Sequence, residues 1–260
     1  LEAKQITIIA DGVDEVLTAT REKFRQGAHF IKVFSGGAVS GLYDPLDINE
    51  YSPEELKAAV DEAKRWNTYA ASHAYMDSSV RSAIEAGFAC IEHCNLMTPD
   101  SMELAVEKGV WLSTQVGFFM TPIPDGFSVA QAARQKMARD GLDAMLRLAK
   151  EYGAKIALGT DFVGSSETKA TQLSELTLRT PWFSNAEILR QATGDNGRLW
   201  ELAGPRSPYQ MGPVGVIEPG AYADILLVNG DPITDLSVMG SAENFDVIMK
   251  GGKAYKNTIL

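Results

Sequence analysis

The sequence predicts an α/β fold that resembles a TIM-like (β/α)8 barrel and carries a small appended β-sandwich module. Over residues 29–161, five short β-prone segments alternate with helical segments, which is typical of a parallel sheet covered by helices. After a Gly- and Pro-rich stretch that starts near residue 204, short strands follow with no helical period. We therefore assign residues 1–204 to the barrel domain and residues 205–260 to the β module.

Each barrel strand is predicted from a helical segment that ends at or near a glycine and leads into a β-rich run. The second helix has the clearest start signal, because Ser52 is a favourable N-cap and Pro53 suits the first helical position. The predicted helix–strand pairs are 14–26 with 29–34, 52–66 with 68–73, 77–87 with 88–93, 99–109 with 110–116, and 130–152 with 154–161. Module strands are predicted at 223–231, 245–252 and 253–257.

Composition and charge exclude several function classes. The 260 residues are 45% apolar, enough for a substantial core, and the net charge is -10. This charge argues against a nucleic-acid or anionic-membrane partner, since both need a positive surface. No apolar run is long enough to span a bilayer. Cys90 and Cys94 are interpreted as free thiols, because an extended backbone separates them too far for a disulfide.

Lys32 is an unusual residue for its position, because it interrupts an apolar β-prone run that ends in two glycines. A buried ammonium is costly unless it is paired or chemically altered. Strand alternation places Lys32 on one face with Phe30 and Phe34. The simpler explanation is a solvated lysine or an ion pair with Asp44 or Asp47.

Three more polar residues end predicted strands on the same inward face, meaning the face turned away from the covering helices. His73 ends one strand, His93 ends the next, where it shares a face with Ile91, and Asp161 ends the fifth. Each alone is more often a structural residue than a ligand. Together with Lys32 they lie at the carboxyl ends of strands, where barrel enzymes build active sites. His29, on the opposite face, is interpreted as structural.

The motifs IKVFSGG, ASHAY, ACIEHC and ALGTDF, followed by VGVIEPGAYADILLVNGDP, resemble the amidohydrolase superfamily in its imidazolonepropionase-related, prolidase-like branch. The resemblance implies a metal-dependent dipeptidase or amidase whose barrel strands four to eight are visible here. It also implies that carbon dioxide converts Lys32 to a carbamate that bridges two divalent metal ions, usually Zn2+. His73 and His93 would bind the more exposed ion. Asp161 would bind the other ion and handle the proton of the hydrolytic water.

The family pattern also includes a His-x-His pair on the first barrel strand. This chain has three histidines, and none is spaced in that way. We therefore expect an N-terminal segment that supplies the His-x-His pair and strands one to three. Because the chain begins at Leu1 rather than Met, a signal peptide would also belong to that segment. We expect a cytoplasmic location rather than a periplasmic or secreted one, and the sequence is compatible with a homo-oligomer.

The resemblance associates Tyr75 with recognition of a substrate carboxylate or carbonyl. Phe118, Phe119 and Met120 would form an apolar wall, although a packing role is equally consistent for all four residues. The predicted reaction is cleavage of an amide bond in an Xaa-Pro-like dipeptide or N-acyl amino acid by a metal-bridging hydroxide.

Three alternatives to this reaction stay open. One is a cyclic amide or lactone hydrolase, and another is a mononuclear zinc deaminase of the same superfamily. The third is a metal-free barrel that serves as a binding module and holds phosphate through Gly36 and Gly37.

Overall fold

A computed structural model describes residues 7–123, 125–162 and 171–259 of the chain. Five parallel strands form one sheet in the order β1-β2-β3-β4-β5, and three antiparallel strands form a second sheet in the order β6-β7-β8. The alternation predicted from the sequence is therefore confirmed. The larger sheet corresponds to part of a TIM barrel, and the described part of the module is one antiparallel layer.

The bounds of the elements follow the chain order. The strands are β1 Ile31–Phe34, β2 Ala70–Met76, β3 Cys90–Leu96, β4 Trp111–Thr114, β5 Lys155–Leu158, β6 Ile225–Val228, β7 Phe245–Lys250 and β8 Lys253–Asn257. The helices are α1 Val13–Arg25, α2 Pro53–Arg65, α3 Asp77–Ala86, α4 Pro99–Lys108, α5 Gly117–Met120, α6 Val129–Glu151, α7 Ser174–Leu178, α8 Asn185–Arg190 and α9 Asn196–Glu201. A π-helical turn, Gln191–Asp195, joins α8 to α9.

Helix boundaries follow the local capping chemistry. Ser52, Ser128 and Ser184 each open a capping box in which the serine oxygen accepts a backbone N–H three residues later. Gly87 ends α3 with a φ of 98°, and Gly109 ends α4 with a φ of 67°. Glycine adopts this left-handed conformation without a steric penalty, so the chain turns sharply into β3 and β4.

Strand register separates the two faces of the parallel sheet. Ile31, Ile91 and Leu112 belong to the large apolar core beneath the helices. The opposite face carries a smaller inner cluster, made of Tyr69, Ala71, Cys90, Trp111, Ala157 and Ala203. Closer to the carboxyl ends of the strands, one residue from each strand lies side by side in a row. The row is Phe34, His73, Glu92, Ser113 and Ala157. This inward row forms the floor of the candidate site.

The expected burial of Lys32 is not found in this part of the barrel. Lys32 is exposed, and Phe34 is 38% exposed. The physical reason is that β1 pairs only with β2 among the described residues, so that the inner face of this edge strand meets solvent. The Lys32 ammonium lies 5.5 Å from the centroid of the Phe34 ring, consistent with a cation–π contact.

A fully buried ion pair fixes the loop that follows β4. Glu175 accepts the backbone N–H groups of Val116 at 2.8 Å and Gly117 at 2.6 Å, and the Arg179 Nε at 2.8 Å. Arg179 also donates to Gln191 Oε1 at 3.1 Å and to the Thr114 carbonyl. Both charged side chains are 0% exposed. Since each polar group has several partners, this network ties the end of β4 to α7 and to the π-helical turn.

The β module pairs β6 with β7 and β7 with β8 in antiparallel register. These strands match the three that the sequence predicts, while the boundary near residue 204 stays a prediction. In the described part of the chain, no helix has both the length and the apolar composition needed to cross a membrane.

Glu175→Ala should lower the free energy of unfolding by about 3–5 kcal/mol, because it leaves the Arg179 charge buried without its partner. Asp61→Ala is a control, since it removes an exposed i,i+4 ion pair with Lys57 and should cost at most ~0.5 kcal/mol. Urea unfolding of the two variants measures both values. Equal, small losses would contradict the anchoring role of Glu175.

Candidate active site

Two histidines meet near the middle of β2 and β3, because both strands run three residues beyond the ends predicted at His73 and His93. The imidazole centroids of His73 and His93 are 4.4 Å apart, and both side chains are nearly fully buried. His73 Nε2 and His93 Nδ1 are buried without a hydrogen-bond partner. A buried nitrogen without a partner is costly, so the pair is suited to share a ligand that supplies those missing contacts.

Burial keeps both imidazoles neutral. It lowers the pKa of His73 to about 3, with a further contribution from the Lys32 charge. Burial also lowers the pKa of His93 well below its usual value, and the neighbouring His73 and Lys32 add to this effect. A neutral imidazole is the form that coordinates a metal ion.

The backbone conformation that directs His93 into the site differs from that of a regular strand. Strand alternation predicts that Ile91 and His93 share the inward face, but Ile91 is buried in the core beneath the helices. Cys90 and Glu92 are the inward residues of β3. His93 has a φ of 75° and Cys94 a φ of 50°, a conformation that non-glycine residues rarely adopt. This local break turns the His93 ring toward His73.

Asp161 and Lys32 approach the histidines from the two edge strands. Asp161 follows β5, and its φ of 51° again turns the chain in the left-handed direction. Its side chain reaches solvent. Even so, partial desolvation raises the pKa of the Asp161 carboxyl, and the Lys32 charge opposes that rise. Lys32 acts electrostatically on His73, His93 and Asp161 alike, so the structure brings all four predicted residues into one electrostatic environment.

Glu92 is an inward residue of the site that the strand-end pattern does not single out. Its side chain accepts a hydrogen bond from Cys90 Sγ at 3.7 Å, and Ser113 is a second hydrogen-bonding partner. Burial raises the pKa of the Glu92 carboxyl, whereas Lys32 opposes the rise. Strict alternation from Cys90 would have identified it.

Tyr75 lies against both histidines. Its ring stacks on His93 at 4.7 Å and meets His73 edge-on at 5.1 Å. Phe119 is fully buried in the main core and contacts the Tyr75 ring at 6.0 Å, while Phe118 is partly buried beside Phe119. Phe119 therefore supports Tyr75 from behind. Met120 is 52% exposed.

Close packing explains why Gly36 and Gly37, the predicted phosphate-binding residues of the binding-module alternative, are glycines. A Cβ atom on Gly37 would lie 1.9 Å from the Pro45 carbonyl oxygen, and one on Gly36 would lie 2.6 Å from Ser79 Oγ. Both positions need glycine because the chain passes so close to its neighbours. This packing removes the need to invoke a phosphate.

A cavity of about 460 Å³ lies elsewhere, between α9 and the segment over residues 204–218. Its lining includes Trp200, Glu201, Tyr209 and Glu218. It contains none of the predicted site residues.

The site residues fit a divalent metal ion as an imidazole pair. His73 and His93 each have a buried, partnerless nitrogen, and imidazole is a preferred ligand of Zn2+. Within the described ranges, no group of three or more His, Cys, Asp or Glu side chains is positioned to hold one ion. Further ligands therefore have to come from Lys32 in a modified form or from outside these ranges.

The left-handed conformation at Cys94 generates a prediction about stability. Cys94→Gly should be more stable than Cys94→Ala by about 1 kcal/mol, since glycine has no Cβ penalty at positive φ. Cys94→Val should be the least stable, because a β-branched residue is strongly disfavoured there. Urea unfolding gives the order.

Cys90 is the matched control for this series. It is equally buried in the same strand, but its φ is not positive, so glycine should be the least stable substitution there. The same order at both positions would contradict the backbone explanation.

The chain is similar to an ochratoxinase and to two solved prolidase-type structures. The chain is 31% identical over 251 residues to ochratoxinase of Aspergillus niger, an alignment that covers 95% of this chain and 50% of the relative. A solved prolidase complexed with N-methylphosphonate-L-proline superposes with a TM-score of 0.87 at 28% identity, covering 97% of this chain and 60% of that one. A Xaa-Pro dipeptidase with bound methionine gives a TM-score of 0.83 at 27% identity, with 95% and 59% covered.

The chain thus spans about half the length of the curated ochratoxinase that it matches. The family model for the amidohydrolase family matches residues 1–255. The ordered strand-end motifs and the prolidase-like neighbours agree with this match, and the chain belongs to the amidohydrolase family, in its prolidase-like branch.

Proposed function

We propose that the complete protein hydrolyses an amide bond in a dipeptide with a proline or apolar residue, or in an N-acyl amino acid. The observation that carries the proposal is the buried His73–His93 pair, with one partnerless nitrogen on each ring. Family membership and the similarity to a prolidase and a Xaa-Pro dipeptidase support the amide as the bond cleaved.

His73 and His93 would hold one divalent ion, and Lys32, as a carbamate, would link it to a second ion. Bound metal supplies a Lewis acid and lowers the pKa of a water molecule toward ~7. Zn2+ suits imidazole and carboxylate ligands.

Asp161 is proposed to take the proton of the attacking water and pass it to the leaving nitrogen. The desolvation that raises the pKa of the Asp161 carboxyl favours this role, because it brings the pKa closer to the operating pH. Tyr75 contacts both imidazoles, so its hydroxyl is a candidate to orient the substrate's carboxylate or carbonyl. Phe118, which is partly buried, would back the apolar part of the substrate, whereas the fully buried Phe119 would act through its contact with Tyr75.

Full activity is also proposed to need a further polypeptide segment with the missing barrel strands. Among the described residues, β1 and β5 each pair on one side only, whereas a closed barrel leaves no strand edge unpaired. Such a segment would cover Phe34 and Lys32. It would also supply the His-x-His ligands that these residues lack.

Lys32→Ala should lower kcat/KM by at least ~10²-fold and reduce the bound metal, because the bridging ligand is lost and metal clamps contribute several kcal/mol. Short-chain carboxylic acids should restore part of the activity by replacing the carbamate. Steady-state kinetics and metal analysis measure both effects.

Lys155→Ala is the matched control. Lys155 occupies the opposite edge strand, where it donates to the Gly109 carbonyl at 3.2 Å, and its removal should leave both metal content and turnover near wild type. Full turnover and metal content in Lys32→Ala would exclude the bridging role.

A substrate panel tests the bond type. Proline dipeptides and N-acyl amino acids with an apolar side chain should be turned over, whereas lactones and cyclic ureas should react poorly. Exclusive turnover of lactones and cyclic ureas would overturn the proposal. Deamination with one equivalent of metal would support the deaminase, and a metal-free protein without turnover would support the binding module.

A further inference from the structure

The end of β5 is held by hydrogen bonds on both sides. On the side of β4, the Gly159 N–H donates to the Thr114 carbonyl at 3.2 Å. On the other side, Leu158 N–H donates to Asn196 Oδ1 at 3.0 Å, and Asn196 Nδ2 donates back to the Leu158 carbonyl at 3.0 Å. One side-chain amide thus satisfies the donor and the acceptor that a neighbouring strand would otherwise pair.

The π-helical turn brings Asn196 to this strand edge. Gln191–Asp195 forms the turn, and Asn196 is the residue directly after it. An added residue in a helix rotates everything that follows, and such turns are frequent at functional sites. Asp195 is in turn paired with Arg190 at 3.2 Å and with Arg198.

The residue after Asn196 is held just as closely. A Cβ atom on Gly197 would lie 2.1 Å from the Val214 carbonyl oxygen. No side chain fits there, so the start of α9 packs directly against the backbone of the loop before the β module. Asn196 is therefore presented from a rigid position and not from a mobile loop.

Two residues separate this amide clamp from Asp161. Gly159 and Thr160 connect Leu158 to Asp161, whose φ is 51°. A Cβ atom on Gly159 would lie 2.9 Å from Gln115 Nε2, so the connecting chain is confined on that side too. The direction in which the chain leaves Leu158 consequently determines where the Asp161 carboxylate lies.

We infer that Asn196 is a positioning residue, which aims Asp161 at the reaction centre by fixing the backbone of Leu158. The inference rests on the proposed function for the role of Asp161. A displacement of ~1 Å at a reacting group can cost about 10²-fold in rate. Loss of the clamp should therefore affect kcat more than substrate binding.

The test compares variants of the complete protein loaded with metal. Asn196→Leu keeps the volume but removes both hydrogen bonds, and it should lower kcat at least ~10-fold while KM changes by less than ~3-fold. Asn196→Asp keeps the acceptor for Leu158 N–H and loses the donor. Its kcat should therefore fall between the values of the wild type and of Asn196→Leu. If Asn196→Leu does not fold, the isosteric Asn196→Asp takes its place.

Asn185→Leu is the matched control, because Asn185 also donates its side-chain amide to a backbone carbonyl, that of Ile233 at 2.9 Å, from the same helical run. It should leave kcat unchanged. Wild-type kinetics in Asn196→Leu, or an equal loss in Asn185→Leu, would overturn the positioning role.

A readout that does not depend on turnover separates this inference from the proposed function. In cobalt-substituted protein, the visible absorption spectrum should change in Asn196→Leu and not in Asn185→Leu, because Asp161 moves relative to the ion. An unchanged spectrum would overturn the inference. A wild-type protein that cleaves no amide would instead contradict the proposed function, and the spectrum would still decide the role of Asn196.

Discussion

The left-handed backbone at His93 and Asp161 is the constraint on which the candidate site depends. In a parallel sheet, side chains alternate between the helix-covered face and the inner face, and Glu92 takes the inner position next to His93 in β3. His93 would point toward the helices if the strand stayed regular. A positive φ at a non-glycine residue costs roughly 1–2 kcal/mol, and such strain persists only where the surroundings impose it.

Buried polar groups supply the rigidity that this strain requires. Glu175 and Arg179 fix the loop after β4, while Asn196 fixes the end of β5. Both anchors meet at the π-helical turn, since Gln191 accepts from Arg179 and Asn196 follows the turn directly. One irregular helical turn therefore holds the ends of two neighbouring strands in a fixed relation.

Much of this architecture could be predicted from local sequence patterns. The alternation of helices and strands and the capping residue Ser52 are confirmed, because each depends on neighbours within a few residues. The inward direction of His73 also follows from strand alternation.

The features that local sequence patterns do not predict depend mainly on contacts between distant segments. The exposure of Lys32 arises from an unpaired strand edge, and the clamp of Asn196 on Leu158 joins residues 38 positions apart. The direction of His93 depends on a backbone break that no propensity scale encodes. The metal chemistry came from family resemblance rather than from spacing, since the described residues supply two close imidazoles and not a full ligand set.

The central claim is that His73 and His93 hold one metal ion together. X-ray absorption at the zinc edge of the zinc-loaded complete protein tests this claim most directly, because Zn–N and Zn–S distances differ, at about 2.0–2.1 Å and 2.3 Å. The account predicts imidazole scattering without sulfur, and the loss of one imidazole in His73→Ala. A sulfur shell from Cys90 or Cys94, or an unchanged spectrum in His73→Ala, would contradict it.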